Sequence, residues 1–157
     1  MSESGNIVAD TAARIFADLA DPQTINRSTD SNWKLPLWKA LAEAGLTLAW
    51  VPEEHGGTGA DLADGFEIIG VAGRFAAPIP LAETLLAGWL LARGEISSPA
   101  GPMTIAPARP GERIVLNADG TLSGRARAVP FAQDAFHVAV CAHDQKAPCI
   151  EIGRAHV

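Results

Sequence analysis

The sequence predicts an α+β chain in which helices come first and strands follow. Three observations carry this. Apolar residues recur at three- and four-residue steps through the first 96 residues. After a breaker cluster, Ser97-Ser98-Pro99-Ala100-Gly101-Pro102, the pattern shortens to brief runs suited to strands. The charge divides at the same place: residues 1–96 carry −7 and residues 97–157 carry +1. Helices and strands kept apart in this way argue for α+β and against an alternating βαβ sheet. The expected organisation is a helical bundle over 1–96, a linker over 97–102 and the first strands of an antiparallel β domain over 103–157.

Taken in order, Ile7, Val8, Ala12, Ile15, Phe16 and Leu19 define the first helix. It should stop at Asp21-Pro22, because proline disfavours helix for the residue before it. The polar run from Asn26 to Asn32 reads as loop. A second helix is expected over 35–44, with Pro36 in its first turn, Gly45 just past its end, and Leu37, Trp38, Leu41 and Ala42 on its buried face. Thr47 to Val51 is a short apolar segment ending at Pro52. Gly56, Gly57 and Gly59 then permit a tight reversal. Asp61 suits the N-cap of a helix over 62–76 carrying Leu62, Phe66, Ile68, Ile69 and Gly73. Ala77-Pro78-Ile79-Pro80 is a stiff connector. A fourth helix is expected over 81–92, with Leu85 and Trp89 one turn apart and Gly94 ending it. Gly70, Gly73 and Gly88 lower helix propensity and are read as points of close helix packing.

Strands are expected over 103–106, 113–117, 121–129, 136–142 and 149–152, with Asn117-Ala118-Asp119-Gly120 as a hairpin turn. Such a sheet has no closing element and would leave edges unpaired. The chain is therefore expected to be the N-terminal piece of a longer protein.

Composition narrows the function. The chain has 157 residues and a mass of 16.4 kDa, of which 48% are hydrophobic and 19% charged, so a disordered state is excluded as the main one. No apolar run approaches the roughly 20 residues of a membrane helix. The N-terminus lacks a basic and apolar leader, which points to a cytoplasmic protein. A net charge of −6 excludes general nucleic-acid binding. Cys141 and Cys149 are expected to be free thiols.

The candidate chemical groups are sparse. Gly56-Gly57-Thr58-Gly59 lacks the Lys-Ser/Thr of a phosphate loop and reads as a turn. Glu53-Glu54-His55 has no further partner at metal-ligand spacing and reads as a solvated loop. His137, Cys141, His143, Cys149 and His156 lie in or near strands. Cys141 and His143 share a strand face and with Cys149 would form a trio, but no C-x-x-C is present and no metal is expected. Arg125 and Arg127, on one face of an expected strand, either remain exposed or meet a phosphate or carboxylate. Trp33, Trp38, Trp50 and Trp89 fall at apolar positions and read as core. No nucleophile–base pair can be assigned, so no catalytic residue is named.

Two stretches carry a resemblance. Leu41-Ala42-Glu43-Ala44-Gly45-Leu46 followed by Trp50-Val51-Pro52-Glu53-Glu54-His55-Gly56-Gly57-Thr58-Gly59 resembles the loop between two helices in the N-terminal domain of acyl-CoA dehydrogenases. Gly65 to Arg74 sits where that family has its next helix. Leu122-Ser123-Gly124, then Gln133-Asp134-Ala135 and Val138-Ala139-Val140, is similar to a run in the family's middle β domain.

The resemblance implies a helical domain, a middle β domain and a C-terminal four-helix bundle. FAD would lie between the last two. It implies removal of the α proton of an acyl-CoA with hydride transfer from the β carbon to the flavin. It also implies an electron-transfer partner and a homo- or hetero-oligomer. The family's base, a glutamate of the C-terminal bundle, has no counterpart here. In place of the family's "TEPxxGSD" stands Thr104-Ile105-Ala106-Pro107-Ala108-Arg109-Pro110-Gly111; in place of its "WIT" stands Ala128-Val129-Pro130. Thr104, Val129 and Pro130 are thus the implied cofactor contacts, the last two through backbone atoms. The lost side chains leave two further readings open: a non-catalytic subunit of a heteromeric acyl-CoA dehydrogenase, and a flavin-dependent monooxygenase of the same fold.

Overall fold

Among the described residues, 3–144 and 147–154 of this computed structural model, five α-helices precede five strands. The helices-then-sheet order is the one expected. Helix α1 (Glu3–Leu19) ends one turn before Pro22, which itself opens a short helix α2 (Pro22–Arg27). Asn26 and Arg27 are therefore helical, not loop; proline's fixed φ suits a first turn as well as it ends a previous one. Helix α3 (Lys34–Glu43) closes at Gly45, whose φ of +72° is the left-handed conformation expected there. Leu37 and Leu41 are fully buried, while Ala42 of the expected inner face is exposed.

Helices α4 (Leu62–Phe75) and α5 (Leu81–Arg93) complete the bundle. Asp61 precedes α4 with extended backbone but makes no side-chain cap. Of its apolar residues, Ile68 and Val71 are buried, while Leu62 and Phe66 are exposed. The buried Gly65 of α4 meets Trp50. A Cβ on Gly65 would come within 2.0 Å of the Trp50 ring nitrogen, so the absent side chain leaves room for the indole. Trp50 donates to the Leu62 carbonyl at 3.3 Å and meets Phe66 edge-on at 5.2 Å. Gly88 likewise admits Val51, whereas Gly70 and Gly73 face open space and mediate no close packing. Of the four tryptophans Trp50 is buried; Trp33, Trp38 and Trp89 are half-buried and pack against the same core. That core gathers Phe16, Leu37, Leu41, Ile68, Leu81 and Leu85, all fully or nearly fully buried.

The sheet is mixed. Strand β4 (His137–His143) is its centre. It pairs antiparallel with β5 (Pro148–Arg154) along one edge. Along the other it pairs parallel with β1 (Met103–Ile105) and, at His143, with β2 (Val115–Leu116). Strand β3 (Leu122–Ser123) returns antiparallel to β2 through the Asn117–Gly120 turn, as expected. The antiparallel expectation holds for β2–β3 and β4–β5 and fails for β1–β4 and β2–β4. Residues 124–129 are not strand, so Arg125 and Arg127 do not share a strand face.

A second core joins the two parts. Ala87 and Leu91 of α5 pack on Met103 and Ala139 of the sheet. One buried hydroxyl stitches this contact. Thr84 lies 2.6 Å from the Pro80 carbonyl and 3.0 Å from the Met103 carbonyl, and accepts the Met103 N–H at 2.9 Å. A hydroxyl carries one proton, so it donates to one carbonyl at a time. No helix among the described residues is long and apolar enough to cross a membrane.

Candidate functional site

The sheet has two faces with different coverings. Residues paired across antiparallel strands share a face. Ala139, opposite Ile152, and Cys141, opposite Ile150, lie on the face toward α5. Thr104 alternates with Met103 and Ile105 and pairs with Val138, so it lies on the other face. There it is fully buried. Its hydroxyl donates to the Pro130 carbonyl at 2.6 Å. The structure thus brings together Thr104, Val129 and Pro130, the three residues singled out for a cofactor.

Their geometry refines the expected roles. Thr104 is covered, so its side chain presents nothing to a ligand. Val129 and Pro130 are half-buried and form the outer layer over it. The backbone around them is unusual. Ala128 has φ +53° and Phe131 φ +49°, both in the left-handed region that residues with a Cβ seldom adopt. The Phe131 carbonyl accepts the Asp134 and Ala135 N–H groups, each at 3.0 Å. Proline supplies no N–H. The Val129 N–H has no acceptor among the described residues, which leaves it for a ligand or water.

These groups fit one wall of a flavin site: an apolar, half-buried surface with a backbone donor at its edge. They do not make a complete pocket. No side chain at 128–131 carries a hydrogen-bonding group.

The remaining candidates resolve plainly. The loop after Pro52 folds back on the chain before it. Gly57 donates to the Pro52 carbonyl at 3.1 Å, Gly59 to Val51 at 2.8 Å and Ala60 to Ala49 at 2.8 Å. A Cβ on Gly57 would lie 2.0 Å from the Val51 carbonyl oxygen. These N–H groups are engaged internally, so they cradle no phosphate. Glu53 and Glu54 are exposed, as a solvated loop requires. Cys149 pairs with Ala142, one step from Cys141, and so points to the opposite face. Both thiols are free, and among the described residues no group of three or more His, Cys, Asp or Glu is placed to hold a metal. Arg127 meets Glu112 at 3.3 Å. His156 lies outside the described residues.

Sequence reasoning missed one feature, an apolar cleft of about 530 Å³ lined in part by Leu35, Trp38, Ile79, Pro102 and Phe136. The Lys34–Asp134 ion pair, at 2.7 Å, joins α3 to the segment before β4 at its rim. The exposed apolar pair Leu35 and Phe136 comes from distant parts of the chain, and no local pattern links them.

A helical bundle built around this glycine loop and followed by a β segment is the arrangement that the resemblance to acyl-CoA dehydrogenases implies. Residues 2–94 match the family described as acyl-CoA dehydrogenase, N-terminal domain, and the chain belongs to that family. It is 32% identical over 90 residues to acyl-CoA dehydrogenase IpdE2 of Mycolicibacterium smegmatis, covering 55% of this chain and 29% of that protein. Among solved structures it is similar to the Tcur3481-Tcur3483 steroid ACAD G363A variant, with TM-score 0.75, 28% identity, and coverage of 98% of this chain and 48% of that one. The ChsE4-ChsE5 complex from Mycobacterium tuberculosis shares the fold, with TM-score 0.78, 19% identity, and coverage of 99% and 48%. So does an acyl-CoA dehydrogenase complexed with FAD from Bacillus anthracis, with TM-score 0.64, 22% identity, and coverage of 98% and 31%. The chain spans less than a third of the curated relative and about half of the first two solved chains.

Proposed function

We propose that this chain forms the helical domain and one part of the flavin wall of an enzyme that oxidises an acyl-CoA thioester at its α and β carbons. The single observation that carries the cofactor part is the meeting of Thr104 with the Val129–Pro130 segment. Family membership supports the reaction class. Bound FAD would supply the hydride acceptor for the β carbon. The chain's own contribution is to hold the 128–131 segment against the sheet and to keep water from one side of the cofactor through its apolar side chains. No residue here is assigned as the base for the α proton. That group, and an electron-transfer partner that reoxidises the flavin, belong to the rest of the system. The same reading divides the chain into a helical domain over 1–96, a linker over 97–102 and part of a middle domain over 103–157, in a cytoplasmic oligomer.

A second reading is favoured by a specific observation. Ala128, Val129, Pro130 and the covered Thr104 offer the flavin no side-chain hydrogen bond. That would suit a non-catalytic subunit whose partner holds most of the cofactor, and a relative of the same fold is solved as a two-protein complex.

Two measurements test these readings. The 157-residue chain mixed with FAD and desalted should be colourless; a stoichiometric yellow chromophore would show that it needs no further wall. In the complete protein, one FAD per copy of this chain favours the enzyme. One FAD for each pair of unlike subunits, contacted mainly by the other subunit, favours the second reading.

A further inference from the structure

The segment over Thr104 holds two left-handed residues within four positions, Ala128 and Phe131. A non-glycine residue in that region costs of order 1–3 kcal/mol and persists only where its surroundings over-determine it. Two restraints are visible. On the C-terminal side, the Asp134 and Ala135 N–H groups hold the Phe131 carbonyl. In the centre, the Thr104 hydroxyl holds the Pro130 carbonyl at 2.6 Å, at the short end of the range for such bonds. Thr104 is itself fixed on both sides. Its own strand is paired to β4, and the preceding residue, Met103, is tied to α5 through the buried Thr84.

We infer that Thr104 is a positioning residue for the cofactor wall: its buried hydroxyl clamps the strained 128–131 segment so that Val129 and Pro130 face the flavin. This rests on the flavin reading above. Thr104 touches no ligand in this account. It acts through the Pro130 carbonyl, which it removes from competition for ligand or water and holds at one height above the sheet. Beside Ala128, the Val129 N–H has no acceptor among the described residues and is free to donate. The helical domain enters through Thr84 and Met103, so the bundle core sets the base on which this clamp stands.

The chemistry makes the prediction specific. Valine matches threonine in shape but leaves the Pro130 carbonyl without its donor. Serine keeps the donor and loses only a methyl group. In the complete protein, Thr104→Val should raise deuterium exchange over residues 126–132, weaken FAD binding about tenfold and shift the flavin absorbance band. Thr104→Ser should restore all three toward the parent. A Thr104→Val protein with weakened FAD and unchanged exchange would overturn the inference, because the hydroxyl would then be touching the cofactor directly. Raised exchange with unchanged FAD affinity and spectrum would overturn it in the other direction, since the segment would be clamped but would not face the flavin. A Thr104→Ser protein as impaired as Thr104→Val would show that the methyl packing, not the hydrogen bond, is what matters. If the parent protein binds no FAD, the flavin reading itself fails, and the exchange comparison shows separately whether the clamp exists.

Discussion

The helical and sheet regions of this chain hold themselves together by different means. The bundle buries Phe16, Leu37, Leu41, Ile68, Leu81 and Leu85 in one continuous core. The sheet has two strands of only two residues each, and its own core consists of Ala87, Leu91, Met103 and Ala139, half of it borrowed from α5. Apolar burial dominates in the first region. In the second, the Met103 N–H donating to Thr84 and the Thr104 hydroxyl donating to the Pro130 carbonyl add specific ties to a smaller core. The candidate site lies in the region with the thinner core. Its 128–131 segment holds positive φ at Ala128 and Phe131, as the helical region does at Ala76 and Glu95.

The contrast can be tested by breaking each side in turn. The largest effect is expected in the bundle. Phe16 is fully buried and stacks on Phe75 at 5.7 Å, so Phe16→Ala should cost about 3–5 kcal/mol in a denaturant melt. A loss below about 1 kcal/mol would mean the bundle is not the dominant core. Next comes the seam between the regions. Thr84→Val leaves the Met103 N–H buried without its acceptor and should cost roughly 1–3 kcal/mol. If the seam couples the regions, exchange should rise in β1 as well as in α5.

The Lys34–Asp134 pair crosses from bundle to sheet segment at the surface. Its side chains are 25% and 36% exposed, so a double-mutant cycle should return only about 0.2–1 kcal/mol, falling as salt is added. The smallest effect belongs to the hairpin tip. The Thr121 hydroxyl and N–H both donate to Asp119 and hold its carboxyl below its ordinary value of 3.8. A lowered folded pKa stabilises above the unfolded value and loses that contribution as pH falls through the folded one. Asp119→Asn should therefore lower the melting temperature slightly at pH 7 and leave it unchanged at a pH below the folded midpoint, while an NMR titration of Asp119 shows a midpoint below 3.8. A midpoint above that value would contradict the hydrogen-bonded turn.

The same division explains what could be read in advance. Helices α3, α4 and α5 were legible to within two residues because their apolar periodicity is strong and glycine or proline bounds them. On α4 the sequence pattern did not say which apolar residues face outward, and Leu62 and Phe66 do. The missing information was Gly65, whose role depends on Trp50 arriving from another element. In the sheet, the Asn117–Gly120 hairpin was legible from its turn residues alone. The parallel pairing of β1 with β4 was not, because it joins residues more than thirty positions apart and leaves no local signature. Thr104, Val129 and Pro130 entered through the family resemblance. That Thr104 is covered, and bonds to Pro130, required the three-dimensional register.

The central claim is that the 128–131 segment is a wall against bound flavin. Deuterium exchange of the complete protein, with and without FAD, tests it most directly. The account predicts that FAD slows exchange at Val129 and Phe131 while leaving the Asn117–Gly120 turn unchanged. FAD bound at full occupancy with no protection across residues 128–131 would contradict it.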